Sequence, residues 1–162
     1  MKCIEVEEAV ARMFGVMAHF AIVPNIASGL WIHECDLLVV RKSGHAIEVE
    51  IKVSKADLKK DAAKRHGHVD RQNRIKELYF AVPKKLYDAA LEFAPERAGI
   101  ITIEPYTFYS GQTKLVGKVR RKPTINRAAR PLTENEMLTV ARLGSMRIWG
   151  LKAKLIKAME AA

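Results

Sequence analysis

Asp36 precedes Glu50-Ile51-Lys52 by fourteen residues, and these residue types act together on phosphate esters. Two carboxylates offer the hard oxygen ligands that Mg²⁺ prefers, beside retained waters and phosphate oxygens. The Ile51 carbonyl can supply a third ligand. A lysine one pleat further on can hold an attacking water or offset phosphate charge in the transition state. A Glu-x-Lys tripeptide alone says little, since a chain this long has about even odds of one by chance. Its weight depends on whether Asp36 stands beside it.

The residues between read as a β-hairpin. Alternation puts Cys35, Leu37 and Val39 on one side of the first strand, and Ile47, Val49, Ile51 and Val53 on one side of the second. Glu34 and Asp36, with Glu48, Glu50 and Lys52, fall on the other. A two-residue loop at Ser43-Gly44 would set Asp36 against Ile51, a carboxylate against a core residue. A three-residue loop, Lys42-Ser43-Gly44, puts glycine at the left-handed position of a turn with a G1 bulge. It pairs Asp36 with Glu50, Glu34 with Lys52, Leu37 with Val49 and Val39 with Ile47. A one-residue slip flips every side chain, so the three-residue loop is expected. Opposed like charges destabilise a sheet, and a bound divalent cation, Mg²⁺ or Mn²⁺, is the commonest good reason for such a pair.

Other elements must position the hairpin. Val6, Val10, Met13, Phe14 and Met17 predict a helix over 4–18. Glu8 lies within reach of the carboxylate face, although a first-turn glutamate favoured by the helix dipole reads as exposed. The apolar run 21–23 reads as a strand closed by Pro24, with a loop over 25–29 anchored by Trp31. Ser54-Lys-Ala-Asp57 is a capping box opening a basic helix over 54–65, whose Lys55 and Lys59 are placed for phosphate contact. After a breaker at 66–68 come a helix over 69–77, a strand over 78–82, a helix over 84–93 and a strand over 99–103. Strand, helix, strand at this spacing implies a parallel pair. Residues 106–109 and 114–119 suggest a second hairpin through Ser110-Gly111, interrupted by Gly117. Thr133-Glu-Asn-Glu136 caps a helix to 143, and Gly144 is expected to break or kink it before a helix over 145–159.

The 162 residues suit one domain, with a core segment over 1–104 and a basic extension over 105–162 packed on it. Two cysteines make no disulfide framework, no secretory pattern opens the chain, and the apolar tendency over 10–23 is broken by Arg12 and His19. A cytoplasmic protein without a membrane partner is expected. The net charge of +10 is concentrated in 105–162, which holds 12 Lys and Arg against three acidic residues; 105–133 holds no acid at all. That asymmetry points to a polyanion, nucleic acid above all. Lys118, Arg120, Arg121, Lys122, Arg127 and Arg130 form an expected exposed connector that grips the backbone. His33, Cys35, His66 and His68 have residue types suited to Zn²⁺ but not its usual spacing. No Ser-His-Asp grouping or Gly-rich phosphate loop is present.

Asp36 followed by Glu50-Ile-Lys52, on a hairpin after an N-terminal helix and before a helix and strand, resembles the PD-(D/E)XK nuclease superfamily. The resemblance is closer still to its MmcB-like DNA-repair group. Glu-Cys-Asp-Leu-Leu-Val-Val and Glu-Val-Glu-Ile-Lys-Val-Ser look like that group's two metal-site strands. Leu-Tyr-Phe-Ala-Val-Pro and Ala-Gly-Ile-Ile-Thr-Ile look like its later strands. The resemblance covers about residues 4–104. It implies a restriction-endonuclease-like αβββαβ core and metal-dependent hydrolysis of DNA, with Asp36 and Glu50 as ligands and Lys52 as the catalytic lysine. Cys35 stands where the motif has proline. Glu48 is an extra carboxylate for which a solvent-facing role is expected over a second-metal role. The family also has members without activity, so a nucleic-acid-binding protein that keeps the fold is the alternative.

Overall fold

The computed structural model describes residues 1–26, 34–63 and 73–160. Helix α1 (Cys3–Phe14) and a 3-10 turn (Val16–Ala18) lead to strands β1 (Ala21–Ile26), β2 (Cys35–Val40) and β3 (Ala46–Ile51). Then come α2 (Lys55–Ala62), β4 (Ile75–Pro83), a 3-10 turn (Lys84–Leu86), α3 (Tyr87–Phe93), β5 (Gly99–Thr107), β6 (Thr113–Arg121) and α4 (Glu134–Glu160). The strands form one mixed sheet in chain order, with β3, β4 and β5 parallel and every other neighbour antiparallel. The chain is thus α/β, a six-stranded mixed sheet flanked by helices. The boundary expected at 104/105 falls inside β5, and the later segment supplies β6 and α4 to the same sheet.

The hairpin takes the three-residue loop. Leu37 pairs with Val49, Leu38 with Glu48, Val39 with Ile47 and Val40 with Ala46. Arg41 N–H donates to His45 O at 2.9 Å and Gly44 N–H to Arg41 O at 2.8 Å. Gly44 sits at φ 80, where only glycine escapes a steric penalty. The segment before α4 clamps this turn: Leu132 N–H donates to Gly44 O at 2.9 Å, and a Cβ on Gly44 would meet Pro131 Cβ at 3.1 Å.

Both faces of the sheet are covered. On one, Val6, Ala9 and Val10 of α1 pack on Leu37, Val39, Ile47, Val49, Ile51, Tyr79 and Ile101. On the other, Val140 of α4 covers Val23, Leu38, Val40 and Ala46, while Leu58 of α2 and Ala89 and Ala90 of α3 cover Leu78, Phe80, Val82 and Ile100. Each Val, Leu, Ile or Phe among these contributes about 1.5–3 kcal/mol on burial. Cys35 is buried, yet it groups with Ile26 and Leu38 rather than with Leu37. Beside it Asn25 takes φ 53, and strict alternation is lost there.

Several elements differ from the sequence expectation. Gly15, at φ 80, ends α1 at Phe14, and a 3-10 turn replaces its last residues. Strand β1 runs through Pro24 to Ile26 because it is an edge strand, where a missing N–H is tolerated. Of the helix expected over 69–77, residues 69–72 lie outside the described residues, while Ile75 and Glu77 pair with Ala46 and Ile47 as strand. Residues 84–93 split into a 3-10 turn and α3. Gly117 does not interrupt β6: its missing side chain admits Met13, whose Sδ would lie 2.7 Å from a Cβ there. Gly144 does not break α4, which runs 27 residues and lies against Val23 at this point. Among the described residues no helix is long and apolar enough to cross a membrane. Trp31 and 66–68 lie outside the described residues.

Gly44→Ala should cost about 1–2 kcal/mol and lower Tm by about 2–8 °C, through both the left-handed backbone and the Pro131 contact. Gly111→Ala shares the backbone conformation (φ 78) with nothing within 4 Å, and should cost less. Calorimetry of both variants checks this; equal losses would remove the clamp from the account.

Candidate active site at the end of strand β3

Beyond the Leu37–Val49 pair, β2 and β3 part, and a side chain takes over the ladder. The Ile51 N–H donates to Asp36 Oδ2 at 2.7 Å, whereas on the other side Lys52 N–H still donates to Ala81 O of β4 at 3.0 Å. Asp36 is thereby held over the end of β3. The Lys52 ammonium lies 2.5 Å from Glu50 Oε2, 3.6 Å from Asp36 Oδ2 and 3.6 Å from Asp61 Oδ1. The side chains of Glu50, Asp61 and Lys52 are only 5%, 4% and 11% exposed, whereas Asp36 is 34% exposed. Water therefore reaches the group from the Asp36 side. Asp36, Lys52 and Asp61, with Ile51, Asp57 and Lys60, line a cavity of about 230 Å³.

The electrostatics follow from burial. Loss of solvent pushes the Glu50 carboxyl above its ordinary value, and the Lys52 ammonium opposes that rise. For Lys52, burial pulls downward, but Glu50, Asp36 and Asp61 together hold the ammonium above its usual range. Glu50 Oε1 is buried without a hydrogen-bond partner, which is costly for a carboxylate oxygen.

The expected Asp36–Glu50 and Glu34–Lys52 strand pairs do not form, because the ladder ends at Leu37–Val49. The structure instead gathers Asp36 and Glu50 around Lys52 beside Ile51, and adds Asp61. Its signal was present on the short basic α2: Asp57 and Asp61 stand four residues apart, flanking the buried Leu58. Glu7, not Glu8, is the α1 glutamate near the site. Glu8 is exposed and pairs with Arg12 at 3.1 Å, while burial and the charge of Asp36 raise the Glu7 carboxyl. Glu34 is exposed ahead of β2, and among the described residues no ion pair joins it to Lys52. Glu48 is 2% exposed, so the solvent-facing role does not hold; α2, α3 and α4 cover that face of the sheet.

The basic residues are more engaged than a free connector would be. Residues 118–121 belong to β6. Lys118 and Arg120 reach Glu104 at 2.8 and 3.1 Å, and Lys118 and then Lys84 hold that carboxyl down to about 2. Arg121 donates to the carbonyls of Ala98 and Pro95, and Arg130 to Glu136. Lys55 is 3.4 Å from Glu92 and, with Lys59, lies over the Phe93 ring. Lys122 and Arg127 are exposed. Of the zinc candidates, His33, His66 and His68 lie outside the described residues, and the Cys35 thiol is buried and pushed far up by burial and by Glu48, Glu50 and Asp36. Among the described residues no three His, Cys, Asp or Glu side chains are placed to hold a metal by themselves.

No family model and no curated protein matches the chain. It is similar to a solved protein of unknown function from Silicibacter pomeroyi, with a TM-score of 0.61 at 14% identity over 99% of this chain and 92% of that one. At that identity the likeness speaks to the fold alone.

Lys52→Met should cost about 3 kcal/mol at pH 7.5, because Glu50 keeps its buried charge and loses the ammonium. The raised Glu50 carboxyl binds protons more tightly folded than unfolded, so falling pH relieves the strain and the cost should shrink at pH 5. Urea unfolding of both proteins at the two pH values measures it. An equal cost at both would mean that the ammonium does not compensate Glu50.

Proposed function

We propose that the chain is a metal-dependent nuclease acting on DNA, built on a restriction-endonuclease-like core of the PD-(D/E)XK type. The observation that carries this reading is the convergence of Asp36, Glu50 and Lys52 at the parted end of β3, with a buried carboxylate oxygen unpartnered. The donor set fits Mg²⁺ or Mn²⁺: two carboxylates and the Ile51 carbonyl are hard oxygen ligands, and Mg²⁺ takes one or two carboxylates and keeps its waters. Bound there, the ion would acidify a water and offset charge on the phosphate. Lys52, still flanked by Asp61, is placed to orient that water or to donate to a phosphate oxygen. Asp36 faces solvent and opens the site to a backbone too large to enter a closed pocket. Lys122 and Arg127, with the half-exposed Lys118 and Arg120, supply phosphate contacts whose strength falls with salt.

A second reading has its own observation. The Lys52 ammonium contacts Glu50 at 2.5 Å, so it already neutralises the carboxylate that a cation needs. A nucleic-acid-binding protein that keeps the fold without cutting would look the same.

Cleavage of single-stranded, duplex and flapped DNA with Mg²⁺ or Mn²⁺ separates the two. The nuclease reading expects metal-dependent cutting that falls at least about a hundredfold in Asp36→Ala and in Lys52→Ala. Cutting that survives both substitutions would displace the site, and binding without cutting across all forms would establish the second reading.

A further inference from the structure

The tip of the β5–β6 hairpin carries three rings that the fold does not use. Tyr106, Phe108 and Tyr109 are 45%, 42% and 110% exposed, and Tyr106 and Phe108 meet edge to face at 4.9 Å. The hairpin is not a remote one. The β3–β4 and β4–β5 registers align Glu50 with Phe80 and Ile100. By alternation Ile100, Thr102, Glu104 and Tyr106 therefore share Glu50's face of the sheet. Lys52 lies level with Thr102, so Tyr106 stands four residues further along and two strands across, roughly 16 Å away. The parallel strands end on the same edge, so hairpin tip and site lie beyond one rim.

The ground between is cationic. A groove of about 660 Å³ on that rim is lined by Met1, Pro83, Lys84, Lys85, Glu104 and Pro105. Lys114 pairs with Tyr106 across the hairpin and is exposed. Glu104, the one acid lining that groove among the described residues, is already neutralised by Lys84, Lys118 and Arg120. Ring faces in a cationic setting suit a ligand with flat apolar faces and regular negative charge. Unpaired bases on a phosphate backbone have both, whereas a duplex hides its base faces in the stack.

We propose that Tyr106, Phe108 and Tyr109 form a stacking platform for single-stranded DNA, whose backbone crosses the Lys84–Lys85 groove toward Asp36, Glu50 and Lys52. Only the destination of the strand rests on the nuclease reading; the stacking does not.

Binding is therefore measured without metal. Fluorescence anisotropy in EDTA at fixed salt compares a labelled oligo-dT with a duplex of equal length, using the full chain, Tyr109→Ala, Phe108→Ala and Tyr109→Trp. Tyr109 touches solvent on all sides, so its substitution leaves packing intact. Tyr109→Ala and Phe108→Ala should each weaken oligo-dT about tenfold and the duplex by less than about twofold, while Tyr109→Trp keeps the affinity and gains a quench on oligo-dT. Unchanged affinity, or equal loss on both DNA forms, would overturn the platform even if metal-dependent cutting is found. Selective loss on oligo-dT in a chain that never cuts would uphold the platform and remove the nuclease.

Discussion

One buried ammonium sets the terms for the rest of the molecule. Glu50 and Asp61 are nearly sealed from solvent, Asp36 leans over them, and the Lys52 ammonium lies within 4 Å of all three. Isolated charges in such a place cost several kcal/mol each, and only close pairing makes them tolerable. The surrounding elements serve that pairing. Strand β3 is central, with all six residues buried, so Glu50 cannot turn outward. Helix α2, capped by Ser54 directly after the strand, returns Asp61 to the ammonium. Asp36 is pinned by a main-chain donor from the strand it opposes.

The hairpin was legible because two local rules agreed. Turn chemistry at Gly44 and the face alternation of Leu37, Val39, Ile47 and Val49 selected one register, and the structure has it. The parallel β4–β5 pair was legible for the same reason, as two apolar runs separated by a helical stretch. What eluded the sequence depended on partners distant in the chain. Gly117 and Gly144 read as breaks, since their use appears only when Met13 and Val23 lie against them. Residues 75–77 read as helix until the β3 ladder claimed them. Asp61 looked like one more charge on a polar helix, because its burial comes from the turn after Lys52.

The basic C-terminal third shows a different limit. Charge totals forecast a polyanion surface, yet much of that charge is spoken for by Glu104, Glu136 and backbone carbonyls. A sum over sequence counts every cation equally, while geometry separates those that brace β6 and α4 from those that face solvent. The remaining field is therefore more local than +10 suggests. It is divided between the segment of Lys122 and Arg127, which runs beside the start of β4, and Lys84, Lys85 and Lys114, where the parallel strands end.

The clamp between Gly44 and Leu132 has a temporal side. The hairpin that gathers the charged group is made before the residues that lock its turn, complete the sheet with β6 and cover β1 with α4. At ordinary synthesis rates roughly 4–18 s separate Gly44 from Leu132 on the ribosome. During that interval the turn's own hydrogen bonds and the β2–β3 pairing hold Asp36 in register with β3 without the clamp. The charged centre is thus written before its latch, and a chain that stalls before residue 132 leaves it without one.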